Sequence, residues 1–302
     1  MVSVVLTTYN GAKYIEEQLD SIRLQTRLPD EVIIRDDGSS DTTKDIIYSF
    51  IQKWNLINWR FIYGSKNVGW KRNFYDAIIL AQGDYILLCD QDDIWHKDKV
   101  ESMVSVMEGR SEIELLASGF HSFYEEGANH LSIHGDLKDD GSVEKILFDK
   151  DCLNIRRPGC TFCFTKSLQC RFKEYWFEAS PHDAMLWYLA VQNDSLYVFN
   201  KVLMEYRRHK ESATDHVGHY TVEKQLEIYK RHTKVLDMLI EMNQEKNVDR
   251  ICLLQDMKEW YRYRILLIEK KKFLYAIKLF SKVNYYSKPR YLLIDIKLAL
   301  VG

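Results

Sequence analysis

Asp90, Asp92 and Asp93 stand close together in LLCDQDDIW, directly after an apolar run, Tyr85 to Cys89, that reads as a buried strand. Three carboxylates at a sheet edge repel one another. They call for a positive charge among them, and a divalent cation held by oxygen ligands would supply it. An acidic first turn of a helix over Lys97 to Met107 is the competing reading, since the helix dipole favours carboxylates there. It accounts for Asp93 better than for Asp90, which belongs to the strand end.

The preceding elements tell where such a cluster would lie. Strand patterns at Ser3 to Thr8, Glu31 to Arg35, Arg60 to Tyr63 and Tyr85 to Cys89 alternate with helical patterns at Tyr14 to Leu24, Thr42 to Trp54 and Trp70 to Ala81. Alternation of this kind builds a mostly parallel sheet flanked by helices, in which ligands bind at the carboxyl ends of strands. Thr8-Tyr9-Asn10, Asp36-Asp37-Gly38-Ser39-Ser40 and Asp90-Gln91-Asp92-Asp93 all fall at such ends. Gly38 and Asp41 read as a turn residue and a helix cap. Asp36 is left over, placed to accept hydrogen bonds from a base or ribose.

With 46% hydrophobic residues among 302, the chain can bury one large α/β core or two smaller ones, and a formal charge of −2 argues against general nucleic-acid binding. The opening MVSVVLTTYN has no basic segment ahead of an apolar one and reads directly as a strand, so a cytosolic location without a signal peptide is expected. Six cysteines fit reduced thiols in that compartment. Cys160 and Cys163 form a C-x-x-C, but no second pair or histidine at zinc spacing accompanies it, and CTFCF alternates as a strand does, which favours packing thiols.

Four blocks taken together, SVVLTTYNGAKYIEEQLDSI, EVIIRDDGSSDTT, NVGWKRNFYDAI and GDYILLCDQDDIW, resemble in order and spacing the glycosyltransferase family 2 enzymes, inverting transferases of the GT-A fold. RPGCTFCFTKSL, SPHDAMLWYLA and YRRHKES resemble later blocks of its rhamnosyltransferase-like branch, which extends the resemblance from Val2 to Ser212. It implies a GT-A catalytic domain over residues 1–219, with a nucleotide-sugar half to about residue 110 and an acceptor half beyond. By this resemblance Thr8, Tyr9 and Asp36 hold base and ribose, Asp90 bonds the ribose, and Asn67, Lys71 and Arg72 line the donor cleft. Arg72 best suits phosphate, because a guanidinium pairs with it bidentately, while a solvated helix face is the plain reading of Lys71 and Arg72.

The implied cofactor is Mg²⁺ or Mn²⁺ on Asp92 and Asp93, with His209 completing the shell or touching the diphosphate; a surface histidine among Arg207, Arg208 and Lys210 is its plain reading. Asp183 takes the place of the general base, a role compatible with its being a first-turn acid of a helix begun by Ser180 and Pro181. Ala184 and Met185 stand where the branch has a bulky aromatic pair, and Ser212 and Thr214 where Asn and Gly usually follow the histidine; these departures bear on the acceptor and on the loop's contacts. The implied donor is dTDP-rhamnose or a UDP-sugar and the acceptor a saccharide or lipid-linked saccharide of bacterial cell-surface polysaccharide. A sugar-nucleotide pyrophosphorylase would need a Gly-rich, basic loop where TTYNGAKY stands, and an inactive binding module would lack the acids that are present here.

Residues 220–302 read as a helical extension. From Trp260 to Gly302, ten Lys and Arg face only Glu269 and Asp295. Apolar residues interleave with them in FLYAIKLFSKVNYYSKPRYLLIDIKLAL, which suits peripheral attachment to an anionic membrane face or packing on the catalytic domain or a second subunit.

Overall fold

In a computed structural model the residues described are 1–128, 138–210, 221–243 and 247–301; Ser212 and Thr214 lie outside them. The strands are β1 (Val2–Thr8), β2 (Glu31–Asp36), β3 (Trp59–Tyr63), β4 (Tyr85–Cys89), β5 (Ile94–Trp95), β6 (Leu115–Tyr124), β7 (Val143–Lys145), β8 (Phe162–Thr165) and β9 (Leu196–Arg208). The helices beside them are α1 (Ile15–Arg23), α2 (Thr43–Lys53), α3 (Trp70–Ile78), α4 (Lys99–Glu108), α5 (Lys166–Tyr175) and α6 (His182–Gln192). One sheet runs in the order β3-β2-β1-β4-β8-β6-β9-β5, with β7 on β9.

Its first four strands are parallel, as the βα alternation requires, and β1 is buried at every position because helices cover both faces. Beyond β4 the sheet is mixed: β8 runs antiparallel to β4 and β6, whereas β6 and β9 are parallel. Register does the positioning. Thr8 pairs with Asp36 and Leu6 with Cys89, so the ends of β1, β2 and β4 open on one side.

Two local expectations change. The segment after the acidic cluster is not a helix start, because Ile94 and Trp95 pair with Glu205 and Met204 as β5 and α4 begins only at Lys99. The dipole of α4 therefore does not explain Asp92 or Asp93. In CTFCF the strand begins at Phe162, and Cys160 sits in a single 3-10 turn over Gly159–Thr161. All six cysteines are free thiols.

The chain forms two compact units, Met1–Leu147 with Ile155–Asp215, and Phe148–Asn154 with His216–Gly302. The second holds α7 (Val222–Asn243), α8 (Val248–Glu269), α9 (Leu274–Ser281) and α10 (Tyr291–Val301). Inside it Asp295 is fully buried and accepts from Arg264 Nε at 2.6 Å, Tyr229 Oη at 2.6 Å and Tyr286 Oη at 2.7 Å. The Arg264 guanidinium lies 3.8 Å from the Tyr229 ring and 4.4 Å from that of Trp260. Two charges of the tail thus lie in its core, where each is tolerated because the other is present. Among the described residues no helix is long and apolar enough to cross a membrane.

Candidate active site

A cleft of about 460 Å³ opens at the carboxyl ends of β1, β2 and β4. Thr8 and Tyr9 form one wall. Gln91 clamps the Tyr9 backbone, accepting its N–H at 2.9 Å and donating to its carbonyl at 3.1 Å. Asp37 and Asn67 form the next part. The Asp37 carboxylate accepts the N–H groups of Val68 and Gly69, each at 2.9 Å, and so ties the loop before α3 to the end of β2. Gly69 has φ +87°, the left-handed region that glycine enters without a Cβ penalty.

Asp90 and Asp92 line the floor, and Asp93 does not. Asp93, at the entry to β5, is buried, while Asp92 in the bend before it lines the cleft. His209, buried at the end of β9, meets Asp92 there, Nε2 to Oδ2 at 2.8 Å, with its ring 4.7 Å from that of Tyr14. Beneath them Asp93 lies with Cys160 and Asp90, one ligand-type atom of each within 4.8 Å of the others. Burial, with the charges of Asp92 and Asp90, raises the Asp93 carboxyl well above the usual range, and one of its oxygens has no hydrogen-bond partner. Burial, with the charge of Asp92, pushes Asp90 up to about 7.

The fold also brings one buried cation and one arginine backbone to the cluster. Lys99 is buried, donates to the Cys160 carbonyl at 2.8 Å and feels the charge of Asp93. Arg207 donates its backbone N–H to Asp93 at 3.2 Å and its Nε to the Asp92 carbonyl at 2.8 Å, while its guanidinium pairs with Glu17 and Glu125. On the other side of the cluster Asp92, which also meets His209, and Asp90 line the cleft.

The fit to a hard cation divides the acids. Asp92 and His209 offer an oxygen and a nitrogen 2.8 Å apart, close to the separation of about 3 Å between neighbouring ligands in one octahedral shell. That pair offers two donors suited to Mn²⁺ or Mg²⁺, while Asp90 gathers with Asp93 and Cys160. That lower group does not fit such an ion: Cys160 is a soft donor whose burial keeps the thiol protonated.

Across the cleft stands the first turn of α6. Asp183 accepts the Ala184 N–H at 2.7 Å and lines the cleft, so the helix-start role and an open carboxylate coexist. Its neighbour His182 stacks on Phe74 of α3 at 3.8 Å and meets Trp70 edge-on at 5.9 Å. Burial pulls its imidazole down to about 4, so the ring is neutral. Gly159 packs directly beneath both residues.

Several expected contacts fall elsewhere. Asp36 is fully buried behind the cleft wall, where its carboxylate accepts from Thr8 Oγ1 at 2.7 Å, Ser39 N at 2.7 Å and Ser39 Oγ at 2.6 Å. It shapes the wall, and Asp37 takes the place on the lining. Arg72 and Lys71 also miss the lining, because α3 presents Trp70, Asn73 and Phe74 inward and successive residues turn by about 100°. Arg72 pairs instead with Asp76 at 2.8 Å, and Lys71 donates to the Ala179 carbonyl at 3.2 Å. Sequence reading assigned no role to Gln91, Gly159 or His182, although all three stand in motifs it singled out, DQDD, RPGC and SPHD.

Parallel strand ends bearing carboxylates, extended by a mixed half that carries a second acid across an open cleft, define a GT-A-type α/β transferase. The family model "Glycosyl transferase family 2" matches residues 3–174, more than half of the chain. A dTDP-rhamnosyl transferase, RfbG of Shigella flexneri, is 32% identical over 219 residues, covering 68% of this chain and 72% of that one. The chain belongs to glycosyltransferase family 2 and is a glycosyltransferase. Among solved structures, S. aureus TarS 1-349 in complex with UDP-GlcNAc aligns over 92% of this chain and 75% of that one, at TM-score 0.64 and 19% identity. The same protein in complex with UDP gives 0.62 and 18% over the same shares. At these identities the likeness speaks for the fold.

Proposed function

We propose that the protein is an inverting, divalent-metal-dependent glycosyltransferase that moves a sugar from a nucleotide-sugar to a saccharide or lipid-linked saccharide in the synthesis of a bacterial cell-surface polysaccharide. The observation that carries this reading is the convergence of Asp90, Asp92, His209 and Asp183 on one cleft at the strand ends. Thr8, Tyr9, Asp37 and Asn67 form the wall suited to the nucleoside. The Shigella relative supports a dTDP-rhamnose donor, and the likeness to a UDP-GlcNAc-binding fold keeps UDP-sugars in the test.

Asp92 and His209 would hold Mg²⁺ or Mn²⁺, with Asp90 assisting, and the ion would supply charge neutralisation for the leaving diphosphate. The remaining chemistry belongs to the chain. Asp183 takes the proton of the acceptor hydroxyl as that oxygen bonds to the anomeric carbon, and the bond from that carbon to the diphosphate breaks with its electron pair leaving on the nucleotide. Attack from the face opposite the diphosphate inverts the anomeric centre. The hydrogen bond from the Ala184 N–H fixes the Asp183 carboxylate, and the neutral, stacked His182 walls that side.

Asp183→Asn tests the base. The amide oxygen can keep the bond to Ala184, so donor binding and thermal stability should hold while transfer falls by about 10²-fold or more. Near wild-type transfer by a folded, donor-binding Asn variant would reduce Asp183 to a helix-start acid. Thermal stabilisation by dTDP-rhamnose against UDP-hexoses and UDP-N-acetylhexosamines identifies the donor.

A further inference from the structure

The helical unit ends in a surface that water does not explain. In and just before α9, Phe273, Leu274, Ile277 and Phe280 recur at the spacing of one helix face, and that face is turned to solvent: Leu274 is 66% exposed, Ile277 68% and Phe280 61%. Leu279, on the opposite face, is fully buried. The helix is thus apolar on its outer side as well as its inner one. α10, which packs on α8 and α9, continues the pattern with Leu293 and Leu300 exposed on one face and Lys297 between them. Single exposed apolar residues are ordinary, but a run of large ones along a helix marks a surface that meets something other than water.

The charges around it select the occupant. Lys270, Lys271 and Lys272 lead into α9, Lys278 lies on it, and Arg290 and Lys297 border the exposed leucines of α10; all are exposed. The acids of this stretch offset little of this charge. Glu269 pairs with Lys230 at 2.7 Å and reaches Lys270 only at 3.9 Å, and Asp295 is buried against Arg264. A protein-protein interface core is depleted in lysine. Lysines rimming an apolar helix face suit a lipid interface, where the apolar residues enter the acyl boundary and the ammonium groups remain at anionic headgroups.

We infer that the outer faces of α9 and α10 dock this enzyme on an anionic membrane surface. The contact would be peripheral and reversible, with about five-fold in affinity per basic residue at the surface. It depends on neither the donor nor the catalytic reading.

Flotation of the full chain with vesicles of phosphatidylcholine and phosphatidylserine, against phosphatidylcholine alone, tests it. Binding should require phosphatidylserine and weaken with added salt. Replacing Lys270, Lys271 and Lys272 by Gln should weaken it by about a hundred-fold, the product of three such factors. Ile277→Ser with Phe280→Ser should abolish it at every salt concentration. All five positions are exposed, so the variants should keep the wild-type circular dichroism and melting temperature. Equal flotation with both vesicle types, or unchanged binding by both variants, overturns the inference. So does a dimer, measured by light scattering without lipid, that Ile277→Ser and Phe280→Ser convert to monomer, since that assigns the face to a second copy.

Discussion

Gly159→Ala is a perturbation that adds one methyl group and removes no functional atom. Its Cβ would lie 2.9 Å from Asp183 Cβ and 3.1 Å from His182 Nε2, whereas carbon contacts settle at about 3.5–4.0 Å. Relief therefore needs a withdrawal of roughly 0.6–1 Å. His182 has little room to move because it is stacked on Phe74, so the displacement passes to Asp183 and the first turn of α6. Overpacking of this kind costs about 1–3 kcal/mol, too little to unfold an extensive α/β core. Moving a reacting group by about 1 Å costs on the order of 10²-fold in rate. Steady-state transfer should accordingly lose about 10²-fold in kcat, with little change in the affinity for nucleoside diphosphate, whose wall lies across the cleft. Adding Gly159→Ala to Asp183→Asn should cost little more, because the methyl then displaces a group that no longer takes a proton. Wild-type kcat in the single variant, or losses that multiply in the double one, would refute the argument that Gly159 acts through Asp183.

Other expectations follow from the same cluster and from the helical core. Asp92→Ala should remove the Mn²⁺ dependence of UDP or dTDP binding in isothermal titration; equal affinity of wild type and variant in EDTA, with Mn²⁺ improving neither, would count against the Asp92-His209 site. Asp90 is raised by burial from 3.8 to about 7, so its folded-state preference for the proton favours folding below about 4 and is lost as pH rises towards 7. The metal-free melting temperature of Asp90→Asn should therefore fall less than that of wild type over this window, and parallel curves would contradict the burial argument. In the helical unit, Arg264→Met leaves Asp295 buried without its cation and should destabilise by about 3–5 kcal/mol, read by urea unfolding; adding Asp295→Leu should restore part of that loss.

The parallel half of the fold was legible because its causes are local. Apolar runs buried on both faces, helices between them and polar residues at each strand end announce the sheet and the edge where ligands bind, and the four blocks carry the family. Asp92, His209 and Asp183 were named through the resemblance of their motifs, DQDD, YRRH and SPHD, to those of the family. What the sequence did not contain is direction. Whether Asp36 or Asp37 lines the cleft, whether Asp92 or Asp93 faces it, and whether α3 turns Arg72 or Asn73 inward depend on register and helix rotation, which tertiary packing decides. The distant partners belong to the same class. Lys99 and Arg207 reach the acidic cluster, Gly159 reaches Asp183, and Arg264 reaches Asp295 only because strands β8 and β9 and the helices of the second unit bring them there. Charge read along the chain showed three carboxylates without a counter-ion and a tail with ten cations. Folding supplied one buried cation, Lys99, to the first and withdrew one, Arg264, from the second, because burial in a medium of low polarity makes an unpaired charge costly and selects its partner from anywhere in the chain.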